Sequence, residues 1–403
     1  MLNNITNVRG FTCWGAHMEK LSKRRDIALI YSEVPASAAA VFTKNVVCAE
    51  PIKLSREHIK DGLAQAFVIN SGNANACTGK EGWKGAVAMA EETSRQLNIA
   101  KENVIVASTG LIGEPFPTDK VLKGIRECSV KLSNREIAGS LTANAILTTD
   151  TFAKEGFTSF NIDGIQINMG GIAKGSGMIH PNMGTMLGFI VCDVAITPAL
   201  LKEALKQAVD NSFNMITVDG DTSTNDMVSI MCNGKAGNKE ITEKDANYDL
   251  FLANLEKLCT HLAKLIISDG EGSTKLVEYR VTGAKTKADA RKIVRTVSNS
   301  NLVKTAVFGS DPNWGRIVAA AGRSGVDFEP EKIDLFIGTD VNKMVPVLEQ
   351  GQPVADVRDK LKKIMTSSNI IIALNINDGD AEAVGWGSDF SYEYVRINAE
   401  YTT

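Results

Sequence analysis

FTSFNIDGIQINMGGIAKGSGMIHPNMGTMLGFIVCD, residues 157–193, is the stretch on which the fold turns. Its first third (157–169) alternates about Asp163-Gly164, and Asp-Gly between alternating apolar runs signals a β-hairpin. Its last third, MLGFIVCD (186–193), is a short apolar run that reads as a buried strand. Between them five glycines, from Gly170 to Gly184, lie beside Lys174, Ser176, His180 and Thr185. Glycines let backbone approach a ligand closely and accept strained angles. Composition alone equally suits a long surface loop before a strand.

Outward from this segment, strands and helices alternate along the whole chain. IALIY (27–31), AFVIN (66–70) and NVIVAS (103–108) read as buried strands, and EGWKGAVAMAEETSRQLN (81–98) as a helix. TDKVLKGIRECSVKL (118–132) is a second helix. In the second half, ALLKEALKQAVDN (199–211) and YDLFLANLEKLCTHLAKLI (248–266) are amphipathic helices. KLVEYRVTG (275–283), LVKTAVFG (302–309), KIDLFIG (332–338) and NIIIALNIN (369–377) read as strands. ADARKIVRTVSNS (288–300) and VADVRDKLKKIMTS (354–367) read as helices. The expected class is α/β, with sheets and helices packed in layers. No fixed-period repeat, heptad run or flexible linker marks a domain boundary.

At 403 residues the chain is long enough for two or three domains, or one large unit with two halves. Its 44% apolar and 23% charged residues are ordinary globular values. The net charge of −3 argues against a nucleic-acid binder that works through bulk charge. The seven cysteines, Cys13, Cys48, Cys77, Cys128, Cys192, Cys232 and Cys259, are odd in number and widely spaced. That pattern favours neither a disulfide framework nor a cysteine zinc site. The first twenty residues lack an apolar h-region, and no run approaches 18 apolar residues. A soluble cytoplasmic protein is the expectation.

The usual catalytic motifs do not occur. There is no G-x-x-x-x-G-K-[ST], H-E-x-x-H or G-x-S-x-G, and no G-x-G-x-x-G after a predicted strand. The histidines are His17, His58, His180 and His261, too scattered for a three-histidine metal site. An ordinary enzyme base is missing. Gly184-Thr185 offers another route. A hydroxyl residue at the head of a buried strand, after a small residue in a glycine-rich loop, suits self-cleavage. The hydroxyl attacks the preceding carbonyl, the acyl group shifts from N to O, and water releases it. The freed α-amine has a reference pKa of about 7.7–8.0 and can take the proton of its own hydroxyl.

KGSGMIHPNMGTML (174–187) resembles the self-processing site of the arginine-biosynthesis ornithine acetyltransferase family, the bifunctional glutamate N-acetyltransferases. INSGNANACTG (69–79), STGLIGEP (108–115), TTDTF (148–152), SDGEGSTK (268–275), FGSDPNWGR (308–316) and NAEYTT (398–403) resemble family blocks in the same order. Where the family usually has Ala before the nucleophile, this chain has Gly184. Glycine is small, so cleavage is expected to survive.

The resemblance implies an N-terminal-nucleophile-like, self-processing fold. The precursor would cut itself into an α chain (1–184) and a β chain (185–403), assembled as α2β2. Thr185 would take acetyl from N-acetylornithine and pass it to glutamate by a ping-pong route. No metal or prosthetic group is implied, and acetyl-CoA is a candidate second donor. Thr109 and Gly110 would be the oxyanion donors. Thr148, Lys174, Thr185, Glu271, Asn398 and Thr403 would contact substrate, Lys174 through a carboxylate and Glu271 through the cationic amine of ornithine. Thr149 and Thr151 stand close enough to Thr148 to compete for its role. Two rivals carry other expectations. One is a self-processing amidohydrolase or aminopeptidase, in which water takes the acyl group. The other is a non-catalytic small-molecule binding protein. No nucleic-acid or membrane partner is expected.

Overall fold

A computed structural model of the chain describes residues 3–19, 24–180 and 186–400. In chain order these form β1 (Phe11–Ala16), β2 (Ile27–Phe42), α1 (Glu50–His58), β3 (Leu63–Asn70), α2 (Gly79–Leu97), β4 (Val104–Ser108), α3 (Thr118–Ser129), α4 (Glu136–Ala145), β5 (Lys154–Ile162), β6 (Ile165–Lys174) and β7 (Leu187–Cys192). Then come α5 (Pro198–Asn211), β8 (Ile216–Thr217), β9 (Met227–Cys232), α6 (Ala246–Ser268), β10 (Leu276–Ala284), α7 (Lys287–Ser298), α8 (Asn301–Phe308) and α9 (Trp314–Gly322). The chain closes with β11 (Asp334–Gly338), β12 (Val345–Glu349), β13 (Gln352–Pro353), α10 (Arg358–Met365), β14 (Asn369–Asn375), β15 (Ala381–Ser388) and α11 (Tyr392–Glu400). The α/β expectation holds: two sheets, each with helices.

The residues group into two compact units. The first takes described residues within Met1–Gly175, Pro181–Asp210 and Asp221–Leu262. Its sheet runs β4-β3-β2-β9-β7-β6-β5, with β1 also paired to β2. The expected hairpin is β5–β6, closed at Ile162↔Ile165. Asp163 (φ 50°) and Gly164 (φ 80°) both take the left-handed conformation that a type I′ turn requires.

β3 and β4 are apolar runs because both faces are covered. Ala66, Val68, Val104 and Val106 join Met89 of α2 and Val121 and Ile125 of α3. The alternate residues Phe67, Ile69, Ile105 and Ala107 join Ala138 and Ala143 of α4 and Phe189 of β7. The Phe67 and Phe189 rings lie 5.3 Å apart. Each such fully buried Val, Ile or Phe stabilises the fold by roughly 1.5–3 kcal/mol.

The sheet also fixes where the glycine-rich segment leaves and returns. Lys174, last in β6, pairs with Leu187, first in β7, and Leu187 pairs with Met227, first in β9. The 175–186 connection therefore springs from one end of three adjacent strands. Gly184 and Thr185 lie outside the described residues. The strands on either side of them belong to one sheet, so the pieces 1–184 and 185–403 do not coincide with the two compact units.

The second unit takes Ser176–His180, Asn211–Gly220 and the described residues from Ala263 onward. Its sheet runs β13-β12-β11-β14-β10-β15-β8. β10 is parallel to β14 and antiparallel to β15. β10 and β14 alternate buried and less buried residues, as strands with one covered face do. α7 packs against β10 and β15. It buries Ala290, Ile293, Val294 and Val297, at the spacing of one helical face.

One expected strand is a helix. LVKTAVFG forms most of α8, which buries Val303, Lys304, Ala306 and Val307 and exposes Leu302. That is a period near 3.6, not 2, and a short apolar run cannot tell the two apart by hydrophobicity alone. The helix expected over 354–367 starts only at Arg358. β2 extends to Phe42, well past the IALIY core, through a small-residue run that carries little strand signal. Among the described residues no helix is long and apolar enough to cross a membrane.

Candidate active site

In the first unit, β4 ends at Ser108 and delivers Thr109 and Gly110. Gly110 has φ +133°, and a Cβ there would lie 2.2 Å from the Gly72 carbonyl carbon and 2.5 Å from the Asn73 nitrogen. Only glycine allows the STG turn to press this closely on the 72–73 backbone. Asn225 secures the same turn: its Nδ2 donates to the Ala74 and Ser108 carbonyls, at 2.6 and 2.9 Å.

β6 supplies Lys174, which is 8% exposed. Its Nζ donates to Thr148 Oγ1 at 2.8 Å and to Thr109 Oγ1 at 3.4 Å. Thus three residues far apart in sequence meet through one ammonium group. Thr148 of the TTDT run thus meets Lys174.

Asp150 holds this arrangement from beneath. Its carboxylate pairs with Lys154 Nζ at 2.7 Å and stands 3.8 Å from Lys174 Nζ. It accepts the Gly175 N–H at 2.7 Å and the Thr148 N–H at 3.0 Å. Burial alone would raise this carboxyl's pKa. The charges of Lys174 and Lys154, with the hydrogen bonds from Lys154 and the Thr148 N–H, outweigh that and hold it well below the ordinary carboxylate range. Two ammonium groups against one ionised carboxylate leave surplus positive charge. A substrate carboxylate is the natural complement.

Asp226, just before β9, is a second buried acid here, at 4% exposure. It accepts hydrogen bonds from the Met186 N–H and from Ser223, yet Oδ2 has no partner. Burial pushes its pKa well above the usual value, opposed by those hydrogen bonds and by the charge of Lys174. Sequence reading passed over Asp150, Lys154, Asn225 and Asp226. None sits in a spacing that announces chemistry; only the fold brings them to Lys174 and Thr109.

The second unit holds another group. Glu271 Oε2 accepts from Asn398 Nδ2 of α11 at 2.9 Å. A Cβ on Gly177 would lie 2.3 Å from that same carboxylate oxygen, so the glycine makes room for it. Gly272 has φ +68° and lies against the start of α11, where a Cβ would meet the Tyr394 nitrogen at 2.4 Å. Ser391 Oγ donates to the Gly272 carbonyl at 2.6 Å. The SDGEGS loop and α11 are thereby joined. His180 contacts Thr217 Oγ1 at 3.0 Å and Arg295 Nη2 at 2.8 Å. Burial and the charges of Arg295 and Lys304 lower its pKa to about 4, so it is neutral at pH 7. Thr403 lies outside the described residues.

The ArgJ family model matches residues 12–403. The arginine biosynthesis bifunctional protein ArgJ of Symbiobacterium thermophilum is 46% identical, over 100% of this chain and 99% of its own length. The chain belongs to the ArgJ family. The ArgJ protein of Caldanaerobacter subterraneus subsp. tengcongensis is 48% identical over 98% of this chain and 97% of its own length. A crystal structure of a Bacillus halodurans arginine biosynthesis bifunctional protein ArgJ is 40% identical, with TM-score 0.50, over 53% of this chain and 98% of that one. Membership of the ArgJ family makes the chain an acetyltransferase of arginine biosynthesis. The hydrolase and non-catalytic readings are not favoured.

Proposed function

We propose that the chain moves the acetyl group of N-acetylornithine to glutamate through an acetyl ester on Thr185, after cutting itself between Gly184 and Thr185. The observation that carries this reading is the meeting of Thr109, Thr148 and Lys174 beside the strand ends from which the 175–186 connection springs. Thr109 Oγ1 and the Gly110 N–H serve as donors to the oxyanion of the tetrahedral intermediate. Lys174 and Thr148 receive the substrate carboxylate. Glu271 and Asn398, a carboxylate bonded to an amide, contact the ornithine side, with Thr403. The freed amine of Thr185 takes the hydroxyl proton, so the reaction needs neither metal nor prosthetic group, and acetyl-CoA is an alternative donor. A solved relative whose chain is about half as long as this one is what a cut precursor would yield. The α and β pieces stay together because β6 and β7 share a sheet, and they assemble as α2β2 in the cytoplasm.

The test is an assay of ornithine release from N-acetylornithine, with and without glutamate, on protein whose pieces have been weighed under denaturing conditions. Glutamate-dependent release, with fragments ending at Gly184 and starting at Thr185, is expected. Equal release without glutamate would mean that water is the acceptor. An unbroken active chain would remove the proposed base.

A further inference from the structure

Six residues of the second unit line a cavity of about 270 Å³: His180, Lys292, Arg295, Thr296, Asn299 and Arg323. Among the described residues no acid lines it. Four of the six come from α7 and the residue just after it. Positions 292, 295, 296 and 299 recur at the spacing of one helical face, turned away from the buried face of Ala290, Ile293, Val294 and Val297. Arg323 is the residue that ends α9. The acetyl-transfer scheme uses none of them.

The hydrogen bonds fix which groups remain to meet a ligand. A guanidinium can only donate, so Arg295 Nη2 donates to His180 Nε2 at 2.8 Å. The imidazole is neutral at pH 7. Its proton is therefore on Nδ1, which donates to Thr217 Oγ1 at 3.0 Å. The Thr217 hydroxyl donates in turn to Asn299 Oδ1 at 3.3 Å. That relay engages the acceptor oxygen of Asn299 and leaves its Nδ2 as the group to donate. Arg295 Nη1 is braced by the Asn214 carbonyl at 2.6 Å. Among the described residues Lys292 and Arg323 make no ion pair.

We propose that this cavity binds a phosphate group, either the free ion or the phosphate end of a larger ester such as CoA. Lys292, Arg295 and Arg323 supply the charge, and Asn299 Nδ2 supplies a neutral donor. A phosphate dianion presents three or more acceptor oxygens and takes donors from several sides, whereas a carboxylate presents two in one plane. Guanidinium groups suit phosphate geometry. An amino-acid ligand would also bring an ammonium group, and no acid lines the cavity to receive it. The site is read by binding alone, so it stands or falls separately from the acetyl-transfer reading.

The experiment is isothermal titration calorimetry of the full chain, in phosphate-free buffer at fixed salt, with inorganic phosphate, CoA and N-acetylglutamate as separate titrants. Phosphate or CoA is expected to bind. Replacing both Lys292→Met and Arg323→Met is expected to weaken that binding roughly tenfold or more. Both residues are exposed, and thermal melting checks that the double variant keeps its fold. Lys292→Glu, which reverses one charge, is a second variant with the same expected direction. CoA binding more tightly than inorganic phosphate identifies an ester as the ligand, and equal affinity identifies the free ion. Neither binding at millimolar ligand overturns the proposal. Affinity unchanged in both variants places the ligand elsewhere and also overturns it. N-acetylglutamate binding as tightly as phosphate would make this a carboxylate site and overturn the phosphate assignment.

Discussion

Asp150 and Lys154 lie 2.7 Å apart with both side chains withdrawn from solvent, and the same carboxylate stands 3.8 Å from Lys174. One buried acid thus sets the position of the ammonium group that meets Thr109 and Thr148. The pair does more for placement than for stability, because burying two charges costs about what their attraction returns.

Removing one member is a different matter. Lys154→Met leaves Asp150 short of its nearer partner, and breaking a buried pair costs about 3–5 kcal/mol. Urea unfolding of the variant is expected to show that loss. A midpoint equal to wild type would show that Asp150 is solvated.

Thr109→Ala removes a hydroxyl donor while leaving the Gly110 N–H. The expected cost is about 2.7–4 kcal/mol of barrier, or roughly 100- to 1,000-fold in kcat. Steady-state kinetics with N-acetylornithine and glutamate test it. A change confined to KM would place Thr109 in substrate binding instead.

Lys174→Met keeps the length of the side chain and deletes its charge. A hydrogen bond to a charged group contributes about 1.5–3 kcal/mol, so kcat/KM is expected to fall roughly 10- to 100-fold. The loss should appear mainly in KM if the ammonium binds a substrate carboxylate in both ground and transition states. Unchanged KM would exclude that role.

Gly110→Ala tests the close approach of the STG turn to the 72–73 backbone. The new Cβ would lie 2.2 Å from backbone atoms that cannot move aside cheaply, at a φ of +133°. Lower melting temperature together with lost turnover is expected. A fully active, equally stable variant would contradict the geometry.

Lys304 supplies a pH test in the second unit. It is 1% exposed and donates to Ser388 Oγ at 3.2 Å. Burial lowers its pKa from 10.5 to about 8, against the opposing charges of Asp389 and Asp219. The native state therefore binds fewer protons than the unfolded state between about pH 8 and 10.5. Its contribution to stability rises with pH across that window, and the cost of the buried charge is fully present below it. Relative to Lys304→Met, wild type is expected to gain stability between pH 7.5 and 10. A constant difference would show that Lys304 titrates normally.

Much of this protein is readable without coordinates. The Asp163-Gly164 hairpin, the buried strands AFVIN and NVIVAS, and the helix ADARKIVRTVSNS follow from turn chemistry and apolar period, which are local properties. The resemblance of ordered blocks pointed to Thr109, Thr148, Lys174, Glu271 and Asn398. Which of them meet within each unit depends on the fold: Lys174 reaches Thr109 and Thr148 across 65 and 26 residues of chain, and Asn398 reaches Glu271 across 127. Short range explains both the failures and the omissions. LVKTAVFG looks apolar enough for a strand, and only its packing, with Lys304 inside and Leu302 outside, makes it a helix. Asp150, Lys154 and Asp226 are ordinary acids and bases in sequence. What distinguishes them is burial and the charges the fold sets beside them, and an ionisable group takes its properties from its surroundings in space rather than from its neighbours along the chain.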